Sequence, residues 1–135
     1  MRRHPARLAA AGISPARYEE LKFICRQYRE YKRRLNQARA GIVDRQERRS
    51  GAWHKPDPTG NAAISLADHP CARRVQLIER CANAVAEPVL AAAILRSVSE
   101  GTGYDRLNPP CGIRQFYILR LLFFIELDRS LWDER

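Results

Sequence analysis

Nowhere in these 135 residues does an apolar run approach the roughly 20 residues needed to span a bilayer. The longest such stretch, Phe116 to Ile125, is interrupted by Arg120, so no transmembrane helix is expected. The basic opening MRRHPARLAAAG has too short an apolar part for a secretory signal, and a cytoplasmic protein is expected. Cysteine is sparse and scattered: Cys25, Cys71, Cys81 and Cys111 form no C-x-x-C pair, and His4, His54 and His69 have no i, i+4 spacing with them. Neither a zinc site nor a thioredoxin-like redox pair is signalled, and buried reduced thiols are the expectation. Also missing are G-x-S-x-G, H-E-x-x-H, a Walker-type loop and any close Cys/His arrangement. We therefore expect no enzyme, no metal and no cofactor; Glu79 and Glu100 read as helix-surface charges.

What the chain has in excess is positive charge, and it is unevenly placed. Residues 1–49 carry 14 Lys and Arg against 5 Asp and Glu, a net of +9, while residues 50–135 carry 10 of each. A basic N-terminal third joined to a neutral remainder points to a polyanionic partner, with double-stranded DNA the leading candidate. A solvated helix face that only aids solubility would give the same count.

Proline and glycine punctuate a chain that otherwise reads as all-α. Residues 1–13 look like a flexible basic arm. Ser14-Pro15 then reads as an N-cap and a first-turn proline, opening a long basic helix from Pro15 to about Ala40 that should stop at Gly41. Leu21, Ile24, Tyr28, Tyr31, Leu35 and Ala38 recur at steps of three and four as its core stripe; Lys22, Arg26, Arg29 and Arg33 form a second stripe suited to phosphates. This gives a first region over 1–43. A flexible linker is expected over 44–60, with Trp53 its one large apolar residue, and a helical domain over 61–135. Within it, a short helix near 61–68 precedes one from about Cys71 to Ala86, with Val75, Ile78, Cys81, Ala82 and Val85 facing inward. The next begins at Pro88, is apolar nearly all round, and ends at Gly101.

Residues 101–128 read as a helix-turn-helix. Asn108-Pro109-Pro110 removes backbone donors and forces a turn after a short segment at Tyr104 to Leu107. A longer helix follows, with Arg114 and Gln115 in its first turn. Arginine matches the acceptor pair on a guanine edge and glutamine the donor and acceptor pair on an adenine edge. Phe116, Leu119, Phe123 and Leu127 supply the core stripe of this last helix. Its opposite face is unusually apolar, with Ile118, Leu121, Leu122 and Ile125, which suits a subunit or partner interface. A homodimer whose helix tips protrude satisfies both features.

The stretches YEELKFICRQYREYKRRL, VQLIERCANAV, SVSEGTGYDRL and PPCGIRQFYILRLLFFIEL occur in that order. This pattern resembles a family of small proteins from phages and prophages of Gram-positive bacteria, some of them related to the ArpU and RinA-like regulators of late phage genes. The resemblance covers about Ser14 to Leu127. It implies an all-helical protein ending in a helix-turn-helix similar to region 4 of sigma factors and acting on late-gene transcription. It also places Arg114, Gln115, Tyr117 and Ile118 toward DNA, with Arg120 the one cation where such relatives carry more.

The expected fold is thus a small all-α bundle with a C-terminal helix-turn-helix and a long N-terminal basic helix. The leading function is a phage-type DNA-binding transcription regulator. The alternative is a helical interaction protein that docks on RNA polymerase or another phage protein through the apolar face of its last helix.

Overall fold

The computed structural model describes residues 4–49 and 69–133, with the backbone alone over 42–49. Every regular element among the described residues is helical: α1 (Ala6–Ala10), α2 (Pro15–Arg26), α3 (Tyr28–Arg49), α4 (Pro70–Val85), α5 (Pro88–Glu100), α6 (Tyr104–Leu107) and α7 (Ile113–Asp133). They divide into two compact units, one of residues 1–28 with 77–135 and the other of residues 29–76. This grouping differs from the three sequential regions expected, because α4 contributes to both units.

In the first unit, residues 4–13 do not form the flexible arm expected. Leu8 and Ile13 are fully buried, and the chain between them is closed by a left-handed Gly12 at φ 81°. The Gly12 N–H donates to the Ala9 carbonyl at 3.1 Å and the Ile13 N–H to the Leu8 carbonyl at 2.9 Å. That pair of bonds is the Schellman arrangement, and its usual hydrophobic contact is supplied here by Leu8 and Ile13. Two apolar residues five apart make no helical period, which is why the sequence pattern passed over them. His4 reinforces the segment through a ring-nitrogen hydrogen bond of 2.6 Å with the Ile13 carbonyl.

Helix α2 starts as its sequence dictates: the Ser14 Oγ accepts from the Arg17 N–H at 3.1 Å, and Pro15 occupies the first turn. Its end was not foreseen. The expected continuous helix to Ala40 is interrupted at Gln27, whose N–H bonds the Ile24 carbonyl at 3.2 Å in a tighter turn. No glycine or proline marks the break. It coincides with an anchor, the buried Tyr28, whose hydroxyl donates to the Glu79 carboxylate. Burial and that bond raise the Tyr28 pKa.

Helix α3 also runs through Gly41 instead of stopping there, and it takes in residues 44–49 of the expected linker. Glycine ends a helix when the left-handed conformation is needed, and Gly41 does not adopt it. The sequence IVDRQERR beyond it contains no breaker. The remaining expectations for the linker, including Trp53, and for a short helix near 61–68 lie outside the described residues. Within the second unit, Leu35 of α3 is buried with Cys71 and Ala72 of α4, and Tyr31 packs against them.

The core of the first unit is built on α7 and α5. Phe116, Phe123, Phe124 and Leu127 are buried on α7, as are Leu90, Ala91, Ala93, Ile94, Ser97 and Val98 on α5. Val89 stays 69% exposed, so α5 has an outer face despite its apolar composition. Gly101, at φ 71°, ends it in the left-handed conformation expected of a C-terminal glycine. Arg17 ties α2 to the end of α7: its Nε donates to the Asp128 carboxylate at 2.6 Å, and its guanidinium lies over the Trp132 ring at 5.4 Å. No helix among the described residues is long and apolar enough to cross a membrane.

The thiols give a direct check on this packing. Cys25, Cys71 and Cys81 are buried and Cys111 is partly exposed. Burial pushes the Cys25 thiol up to about 12, with the Arg120 charge opposing and Cys81 adding to the rise. At pH 9 only about one Cys25 in a thousand is then a thiolate, where an ordinary thiol is more than half ionised. A native-state titration with an aromatic disulfide at that pH is expected to label Cys111 first and Cys25 only on unfolding. Early labelling of Cys25 would contradict the buried position.

Candidate nucleic-acid interface

The C-terminal tip is organised by α6, the turn that follows it, and the first turn of α7. Asn108 takes the left-handed conformation at φ 44°, which asparagine tolerates better than most residues, and it closes α6. Pro109 is buried, and the Cys111 N–H donates to its carbonyl at 2.8 Å. The Tyr104 hydroxyl donates to the Cys111 carbonyl, and its ring lies 5.8 Å from that of buried Phe116. The start of α7 is therefore pinned on its inner side by a hydrogen bond and an aromatic contact.

Its outer side is open. Arg114 and Gln115 are exposed, and neither side chain has a partner among the described residues. Tyr117 is 43% exposed and Ile113 52% exposed. The tip thus presents a guanidinium, a carboxamide and a phenol on a supported helix end.

Two other residues expected at DNA are placed differently. Ile118 is half-buried. Arg120 is also half-buried and turned inward, its Nε donating to the Ser97 Oγ at 3.2 Å and its guanidinium lying 5.2 Å over the Phe124 ring. It serves the packing of α7 on α5, so it is not a surface cation. Leu121 and Ile125, expected at an interface, are likewise half-buried, and only Leu122 reaches 36% exposure. The outer face of α7 is less bare than its sequence suggests.

The four expected phosphate contacts do not form one helical stripe. The break at Gln27 leaves Lys22 and Arg26 on α2 in the first unit and Arg29 and Arg33 on α3 in the second. Lys22 pairs with Glu19 at 2.7 Å and sits 4.5 Å over the Tyr18 ring. The hydrogen bond from Lys22 holds the Glu19 carboxyl below its ordinary value. Arg26 is exposed, its Nε weakly bonded to the Lys22 carbonyl at 3.4 Å, and Arg33 pairs with Glu30 at 3.2 Å. Exposed pairs of this kind contribute well under about 1 kcal/mol, so a phosphate can replace the carboxylate at little cost.

The sequence reading missed a second polar surface. Arg29, Lys32, Arg33, Asn36, Gln37 and Ala40 of α3 line a shallow surface depression of about 520 Å³. The signal was present as polar residues recurring at three and four, but only the cations were read. Among the described residues no three His, Cys, Asp or Glu side chains cluster as a cation site would require.

The chain matches no known protein-family profile, and comparison with curated proteins and with solved structures finds no significant similarity.

Proposed function

We propose that the chain is a DNA-binding regulator in which α6, its turn and α7 act as a helix-turn-helix. The observation that carries this reading is the open first turn of α7, with Arg114 and Gln115 unpartnered among the described residues on a tip held by Tyr104 and Phe116. A helix tip of this kind enters the major groove, where arginine and glutamine discriminate guanine and adenine edges. Within α7, the inward turn of Arg120 limits base reading to that first turn. Lys22, Arg26, Arg29 and Arg33 would add sequence-independent phosphate contacts. A role in late-gene transcription is the extension suggested by the resemblance to phage regulators.

The test is selection from random double-stranded DNA fragments across a salt series, with sequencing of the bound pool. An enriched motif whose affinity falls steeply with salt is the expected result. Salt-sensitive but unselective binding would overturn the regulator reading and leave a basic accessory protein. The exposed Ile113, Tyr117 and Leu122 favour a second reading, docking on another protein or a second copy of the chain. Absence of DNA binding at moderate salt would favour it.

A further inference from the structure

We propose that the outer face of α3 is a second DNA-reading surface, occupying the major groove of B-form duplex with Asn36 and Gln37 as its base-contacting residues. The proposal rests on the DNA-binding reading above but assigns sequence selectivity to a different helix.

The face is defined by packing. Leu35 is buried and Tyr31 partly so, which fixes the inner side of α3. At 100° per residue, Arg29, Lys32, Arg33, Asn36, Gln37 and Ala40 fall within an arc of roughly 140° on the opposite side. All six are exposed. Arg34 and Arg39, also exposed, lie on the two flanks of that arc. The only acid among residues 28–41 is Glu30, which pairs with Arg33 and Arg34 at 3.2 and 3.3 Å.

The depression on this face is open, which suits an extended partner better than a small ligand. All its lining residues belong to one helix, so among the described residues no second wall encloses a molecule, and three of the six lining residues, Arg29, Lys32 and Arg33, carry a positive charge. An extended polyanion fits the charge. Among polyanions, B-form DNA fits the shape: a helix about 10–12 Å across enters a major groove about 12 Å wide, whereas the A-form groove of duplex RNA is too narrow. From Arg29 to Ala40 the face is about 16 Å long, roughly five base-pair steps.

Two uncharged residues near mid-length, Asn36 and Gln37, set this face apart from a merely solvated one, standing on either side of the line through Arg29, Arg33 and Ala40. Asn36 and Gln37 carry no charge and have no side-chain partner among the described residues. Carboxamides match the adenine edge bidentately, and an alanine one turn on can meet a thymine methyl. The flanking arginines are placed for phosphates on both walls of the groove. Such an arrangement lets the neutral pair be removed without altering the electrostatics.

The experiment repeats the selection from random duplex DNA with the full-length chain, comparing wild type, Asn36→Ala plus Gln37→Ala, and Gln37→Glu. Alanine is the better helix former at these exposed positions, and circular dichroism should show helicity maintained. The double variant is expected to lose an adenine preference at one or two adjacent positions by roughly fivefold or more, with the salt slope unchanged. Gln37→Glu is expected to shift preference at one position toward cytosine, whose amino group a carboxylate accepts. An unchanged motif in both variants, or a uniform loss on every sequence, overturns the proposal while leaving the α7 reading intact. Tighter binding to duplex RNA than to DNA overturns it too, and failure of wild type to bind DNA overturns both readings.

Discussion

Replacing Arg114 and Gln115 together by alanine is expected to cut discrimination between a selected DNA site and random DNA by tenfold or more. Each bidentate base contact contributes about 1–3 kcal/mol of discrimination, and neither residue supports the fold. Both side chains are exposed and unpartnered among the described residues, so the change in stability should stay within about 0.5 kcal/mol. The comparison that gives this result its meaning is Arg26→Ala on α2. Arg26 is exposed, its guanidinium weakly bonded to the Lys22 carbonyl at 3.4 Å and within electrostatic reach of Glu19. Its loss should weaken binding to all sequences alike and reduce the salt slope by about one. Competition titrations at two salt concentrations separate the effects, and identical behaviour of the two variants would remove the division between reading and anchoring. Arg120→Ala belongs to neither class. Its guanidinium holds Ser97 and covers Phe124, so its effect should appear in stability before it appears in DNA selectivity.

Phe124→Ala is expected to produce the largest loss of stability of any single substitution considered. The ring is fully buried, edge-on to Tyr18 at 5.2 Å and to Phe123 at 5.4 Å, beneath the Arg120 guanidinium. Truncating a buried phenylalanine costs about 3–5 kcal/mol through lost transfer energy and the cavity left behind. Each aromatic pair adds about 0.5–1.5 kcal/mol to what is lost. A chain of this length has on the order of 7–20 kcal/mol in total, so the variant gives up a substantial fraction. Tyr18 belongs to α2 and Phe124 to α7, so the cavity opens where the two helices meet. Phe124→Leu keeps most of the volume and should cost less than half as much. Urea denaturation followed by circular dichroism measures both, and a Phe124→Ala loss below about 1 kcal/mol would contradict the position of the ring.

These two variants also show where the sequence alone was informative. The break that sets Arg114 and Gln115 in the first turn of α7 was legible from Asn108-Pro109-Pro110, since consecutive prolines end a helix through covalent geometry. The burial of Phe124 was not. The expected core stripe of Phe116, Leu119, Phe123 and Leu127 uses one face of α7, while the structure buries Phe124 as well and leaves Leu119 half-exposed. What widens the buried face is Tyr18, over a hundred positions away in the chain.

The same division runs through the rest of the molecule. Ser14-Pro15, Pro88 and Gly101 determined by themselves where helices begin and end, because capping and proline geometry act within three or four residues. The period of the apolar residues likewise determined that the described chain is helical. The tertiary structure decided the docking of Leu8 and Ile13, the break at Gln27 beside Tyr28, the continuation through Gly41, and the inward turn of Arg120 toward Ser97 and Phe124. Each depends on a partner far along the chain or on whether a permitted conformation is required. Local sterics can forbid a helix, but only packing against distant residues selects among the helices and rotamers that remain allowed.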